Sequence, residues 1–156
     1  MKSIVDIEVH RPRREVSMLL ADPGNMTQWM HDLAAYEHIG GEPGAVGARY
    51  RMVPKPGTRQ SEFVSTVTTM HLPERLSLRL QSPTVDVLVD TTFTALAKDR
   101  TQLVSEETFI FHGLFRKLFS LFAHGDIRRH HRDHIESFKR FAEGGHDETA
   151  GKTPAK

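Results

Sequence analysis

Between Asp22 and Tyr50 the chain reads DPGNMTQWMHDLAAYEHIGGEPGAVGARY, and few folds use this order of signals. An Asp-Pro pair that can start a helix comes first, then the lone tryptophan Trp29, an amphipathic strand, and a glycine-rich turn over Gly40–Gly47. Before it, Val5, Ile7 and Val9 alternate with Asp6, Glu8 and His10, the period of a half-buried strand over Ile4–Val9. Pro12 ends that strand. Val16, Leu19 and Leu20 then recur at helical spacing over Glu15–Ala21, and Asp22-Pro23 closes this helix and opens a second short one through Met30.

After the turn, strand signals fall at Arg49–Val53, Glu62–Met70, Leu76–Gln81, Val85–Leu96 and Leu103–His112. They are broken at Pro54–Gly57, Pro73-Glu74, Ser82-Pro83 and Lys98–Arg100. Consecutive strands joined by short turns predict an antiparallel meander. In the fourth of these, Val85, Val87, Val89, Phe93 and Ala95 share one face, and Asp86, Asp90, Thr92 and Thr94 the other, where the aspartates should meet water. From Leu114 the period becomes helical. We read a short helix to about His124, then a longer one capped by Asp126 and running through Glu143. Residues 144–156 carry no large apolar side chain and read as a disordered tail after a single α+β domain over 1–143.

Several of these features recur together in one family: Val9–Pro12 with Glu15 and Val16, Asp22-Pro23, Trp29, Gly44–Gly47, the turn Leu72-Pro73-Glu74-Arg75-Leu76, Thr101, and the run Phe138–Glu143. On them the chain resembles the SRPBCC superfamily, the START and Bet v 1-like helix-grip proteins that include polyketide cyclases and lipid-transfer proteins. The resemblance implies a curved antiparallel sheet of six or seven strands around a long C-terminal helix, with two short helices after the first strand and an apolar cavity between sheet and helix. It also implies binding of a small hydrophobic ligand such as a lipid or polyketide, as a carrier or sensor. A polyketide cyclase or dehydratase working in the same cavity is the alternative. One departure is the Phe-rich run Leu114–Phe122, which leaves a third reading open, a protein-interaction module.

Composition narrows the classes. With 21 basic against 20 acidic residues the net charge is +1, too small to mark a nucleic-acid surface. Without cysteine there is no disulfide, no thiolate nucleophile and no Cys-ligated zinc, and a cytoplasmic location is the simplest expectation. No signal peptide and no apolar run of about 20 residues appears, so membrane insertion is not expected. There is no GxSxG elbow, Walker loop or GxGxxG fingerprint, which removes the usual parts of covalent and nucleotide chemistry, and no cofactor is expected.

Acid-base candidates remain. On the last strand the inward phase reads Leu103, Ser105, Glu107, Phe109, Phe111, so Glu107 shares a face with residues that must point inward. A desolvated carboxyl there has a raised pKa suited to general acid or base work. The other reading is a twist or bulge at Glu106-Glu107 that puts both in water. On the long helix His131 follows Ile127 by one turn, in line with Ile135 and Phe138, which points it at the sheet or a cavity beneath. A core histidine satisfied by a neighbour is the competing reading. His130 and His134 stand four apart, but their spacing alone is a weak metal signal beside Arg128, Arg129 and Arg132, and no metal is expected. A ligand would be lined by Trp29, Tyr50, Val87, Phe93, Phe109, Phe111, Phe115, His131 and Phe138. Phe115 enters through the Phe-rich run, which is wall of the cavity, core, membrane-facing lid or homodimer patch.

Overall fold

In β1 (Lys2–Val9) the side chains of Ser3, Val5 and Val9 are buried while Ile4 and Asp6 are exposed, so alternation alone sets which edge of the ribbon meets the core. The computed structural model describes residues 1–58, 60–114 and 124–145. After β1 come α1 (Arg13–Ala21), a 3-10 turn at Pro23–Asn25 and α2 (Met26–Trp29). The carboxylate of Asp22 accepts from the Gly24 amide at 2.9 Å, which tightens the turn between the two helices. Then follow β2 (Leu33–Gly40), β3 (Arg49–Pro54), β4 (Phe63–His71), β5 (Arg75–Gln81), β6 (Val85–Ala97), β7 (Arg100–Phe111), the long α3 (His124–Arg140) and a wide final turn at Phe141–Gly145.

The seven strands form one antiparallel sheet in the order β1-β7-β6-β5-β4-β3-β2, with β1 carried across to pair with the last strand. The sheet curves around α3, the expected helix-grip α+β arrangement. Between β2 and β3 the chain turns at Gly41, whose φ of +68° is left-handed, and a Cβ there would collide with the Gly47 carbonyl. The β4–β5 turn carries a cis Leu72–Pro73 bond.

α3 presents Ile127, His131, Ile135 and Phe138 to the sheet, and Ala142 in the final turn continues the stripe; all are buried except Ile127, which is half-buried. Trp29 meets Phe138 edge-on at 5.4 Å between ring centroids, fixing the end of α2 against α3. The Ser137 hydroxyl donates to the Trp29 carbonyl at 2.6 Å and reinforces that contact. The far end of α3 is tied to the β1–α1 connection. Arg11 donates to the Ala142 and Glu143 carbonyls at 3.2 and 3.0 Å, and Glu143 accepts from the His10 amide at 2.7 Å. A guanidinium on the last carbonyls suits the negative end of a helix dipole.

Two expectations are corrected. Helix α3 begins at His124, so Asp126 lies in its first turn, 3.5 Å from Arg129, and does not cap it. Asp86 does sit on the outer face of β6, yet its side chain is only 7% exposed because Arg79 and His112 close over it at 2.8 and 3.0 Å. A hydrogen bond from Arg79, and a second from His112, hold its carboxyl below the ordinary range. Asp90 is likewise gripped by Arg75 through two bonds of 2.7 Å. The helix expected before His124, the Phe-rich run beyond Leu114, and residues 146–156 of the tail lie outside the described residues. Among the described residues no helix is long and apolar enough to cross a membrane.

Candidate functional site

Because α3 rests against only part of the sheet, a cavity of about 610 Å³ remains between them. Met30, Met52, Leu80, Val87, Phe109 and Ile127 form much of its wall. A smaller space of about 70 Å³ lies deeper, beside Trp29, Leu76 and Ile135. Glu107, His134, Met30, Met52 and Leu80 border both, so the two spaces adjoin across these side chains. This is the size and apolar character of a small-molecule site.

Glu107 is where that wall turns polar. The β6–β7 ladder passes through Val89↔Glu107 and Asp90↔Glu106 without a bulge, so the alternation persists and Glu107 points inward. Its side chain is 18% exposed, toward the cavity. Among the described residues its carboxyl makes no hydrogen bond, and His131 Nε2 lies 3.8 Å from it. Burial pushes it up from 4.5 to about 7, opposed only in part by the positive charge of His130. A carboxyl poised there can donate a hydrogen bond as the acid or accept a proton as the base near neutrality.

His131 is buried in the core at 1% exposure. Its Nδ1 lies 2.8 Å from Ser3 Oγ and its Nε2 2.9 Å from Ser105 Oγ, so the ring is a polar bridge from α3 to β1 and β7. Burial, together with the charges of His134, Arg132 and His130, lowers its pKa from 6.5 to about 4 and keeps it neutral. Among the described residues it borders neither cavity, so Glu107 and His131 are neighbours without both reaching a ligand.

A second polar group lies on the cavity wall. Asp32, in the connection from α2 to β2, is held by its carbonyl accepting from the Lys55 amide at 2.8 Å. His134 Nε2 stands 3.1 and 3.0 Å from its two carboxylate oxygens, and His130 Nε2 is 3.3 Å from the second. Gln60 Nε2 donates to the same oxygen at 2.6 Å and also abuts His130 Nε2. Burial pushes the Asp32 carboxyl up, but the two imidazoles outweigh it and hold the group below the ordinary carboxylate range. The hydrogen bond with Asp32 raises His130, against the effect of its own burial. The i, i+4 spacing of His130 and His134 was visible in the sequence, whereas nothing in it pointed to Asp32, 102 residues before His134, or to Gln60, 70 residues before His130.

The other expected lining residues divide. Val87 and Phe109 border the large cavity, and Trp29 borders the small one with its Nε1–H buried and unpartnered among the described residues. Tyr50 is buried and stacks on Tyr36 at 4.7 Å, Phe93 of β6 is buried in the core, and Phe138 packs on Trp29. None of these three borders either cavity. Phe111 stacks on Phe109 at 6.2 Å, one step outside the cavity wall. Phe115 lies outside the described residues.

Comparison with known proteins agrees with this geometry at the level of fold. A protein of Thermus thermophilus superposes with a TM-score of 0.76 at 11% identity, over 94% of this chain and 100% of that one. The Zhui aromatase/cyclase from Streptomyces gives 0.74 at 15% identity over 92% and 93%. Truncated norcoclaurine synthase from Thalictrum flavum gives 0.70 at 14% over 92% and 95%. No curated protein matches in sequence. The family profile described as polyketide cyclase/dehydrase and lipid transport matches residues 2–143, nearly the whole helix-grip domain, and the chain belongs to that family.

Proposed function

We propose that the protein binds a small, largely apolar molecule carrying a carbonyl or hydroxyl oxygen, in the interior between α3 and the sheet. The observation that carries this reading is a cavity of about 610 Å³ whose apolar wall is interrupted by an inward carboxyl. Below about pH 7 Glu107 is protonated and able to donate to such an oxygen. A lipid or polyketide fits this description, with the protein as carrier or sensor.

A second reading, a cyclase or dehydratase, is favoured by the same carboxyl, since a pKa of about 7 suits proton transfer at neutral pH. Its proton-transfer partner would have to come from the rim histidines His130 and His134, because both ring nitrogens of His131 are engaged by serines. One experiment addresses both readings. A titration with an anilinonaphthalene dye should saturate at about one site and be abolished by Leu80→Trp, which fills the cavity. Unchanged dye binding in that variant would remove the basis for both. Glu107→Gln should keep dye affinity, and with an aromatic polyketide substrate it separates the two, leaving a carrier intact and eliminating turnover by an enzyme.

A further inference from the structure

We infer that Asp32, His130 and His134 form a site for a divalent first-row transition ion of the zinc class, on the cavity wall, with an open coordination position toward the interior. The site does not depend on the nature of the apolar ligand. One ligand atom from each of the three side chains lies within 4.8 Å of the others. The separations of 3.0 and 3.3 Å from Asp32 Oδ2 to the two Nε2 atoms are the telling ones. Donors about 2.0–2.1 Å from a tetrahedral zinc stand roughly 3.3 Å apart, so both distances from the carboxylate already suit an ion, and the two imidazole nitrogens need only close from within 4.8 Å of one another. Two imidazoles one helical turn apart with a carboxylate from elsewhere in the chain make a His-His-carboxylate set, which in zinc sites leaves the fourth position open.

The protons of the cluster point the same way. If His130 Nε2 carries hydrogen to donate to Asp32, the Gln60 amide that abuts it is a donor facing a donor. If it carries none, it accepts from Gln60 and its contact with Asp32 lacks a proton. The second arrangement gives every group a partner, since the Gln60 amide can give one hydrogen to Asp32 and the other to His130 while His134 donates to Asp32, and it presents His130 Nε2 with the bare lone pair that a metal ligand needs. With an ion bound, both Nε2 atoms are bare, and the Gln60 amide turns its oxygen toward the metal or toward a metal-bound water.

The arginines that weigh against a cation in the sequence are turned aside. Arg129 pairs with Asp126 at 3.5 Å, Arg132 with Glu136 at 3.8 Å, and Arg128 is exposed. Asp126 and Glu107 add carboxyl groups to the same cavity wall. All three ligand residues border the cavity, which leaves the open position to a water or to the oxygen of an apolar ligand.

The test uses the full chain without a polyhistidine tag, dialysed against chelator. Calorimetric titration with zinc chloride should give about one ion per chain, and zinc should raise the melting temperature. Cobalt(II) should develop the visible absorption of a four- or five-coordinate centre. In the unaltered protein, zinc should shift the imidazole NMR signals of His130 and His134 while leaving those of His131, which its serines occupy. Asp32→Asn and His134→Gln should each weaken zinc binding by on the order of a hundredfold, at or above the loss seen for outer-shell partners. His10→Gln, at an exposed histidine elsewhere, should change nothing. The inference is overturned if no stoichiometric binding occurs, if affinity survives both ligand substitutions, or if the NMR shifts fall on other histidines.

Discussion

The inward carboxyl makes the pH dependence of stability the most direct physical test of the site. Glu107 moves from an ordinary 4.5 to about 7 on folding because burial disfavours its charged form. A group whose pKa is raised by folding contributes stability that is complete below its unfolded pKa and is lost as pH rises through the folded value. The interval from 4.5 to about 7, at about 1.36 kcal/mol per pH unit, corresponds to a loss of roughly 3 kcal/mol between pH 4.5 and pH 8. Glu107→Gln keeps the shape and stays neutral, so it should not suffer that loss. Relative to the unaltered protein it should gain about 3 kcal/mol on going from pH 4.5 to pH 8, or ~6–12 °C in melting temperature for a chain of this size.

His131 sharpens the shape of the curves. Its pKa falls from 6.5 to about 4, so its contribution is present above 6.5 and lost as pH drops toward 4, opposite in sign to that of Glu107. In the unaltered protein the two slopes nearly cancel between about pH 4.5 and 6.5, and only the Glu107 loss remains just above. In the Gln variant the rise from His131 stands uncovered up to about pH 6.5, followed by a plateau. Urea unfolding at intervals across this range reads the difference directly, and groups common to both proteins cancel in it. Parallel curves for the two proteins would falsify the desolvated state of Glu107 and, with it, the poised carboxyl in the cavity.

Two further outcomes follow from the same geometry. His131→Ala strands the hydroxyls of Ser3 and Ser105, both buried, and opens a hole between α3 and the sheet, so urea unfolding should show a loss of about 3 kcal/mol or more. A loss under about 1 kcal/mol would mean the bridge is not formed. Deleting residues 146–156, which have no large apolar side chain, should leave the melting temperature within about 1 °C, whereas also removing Glu143 breaks its hold on the His10 amide and should lower it by several degrees. A drop of several degrees on the shorter deletion would show that the tail packs.

The fold was readable where a strand turns one face inward. Period-two alternation at Val5, Ile7 and Val9, and again from Val85 to Phe93, places the strands and their inward sides, and a one-residue slip would turn every apolar group to water. Boundaries shifted where the signal is weakest: β7 starts at Arg100 because the tight turn with β6 pairs Ala97 with Arg100 before the apolar alternation begins. Asp86 reads as a water-facing aspartate by the same rule. Phase gives the face of the sheet but not what neighbouring strands and loops lay across it, here Arg79 and His112.

Two of the cavity carboxyls, Glu107 and Asp32, show why the site was harder to read than the fold. Phase alone turned Glu107 inward, since Leu103, Ser105 and Phe109 share its face. Its charge state followed from having an apolar neighbour across the ladder, Val89, and a neutral His131 that Ser3 and Ser105 already occupy. The serines were a usable signal: two small hydroxyls in the inward phase of paired strands need buried partners, and a polar residue on the α3 stripe is placed to supply one to both. Asp32 borders the same interior yet stays ionised, because His130, His134 and Gln60 converge on it from chain positions that no local pattern connects. One cavity therefore keeps one carboxyl able to donate a proton and another fixed as an anion. Local sequence predicts the first, whose state is set by what is absent around it, and only the tertiary fold supplies the second, whose state is set by what arrives.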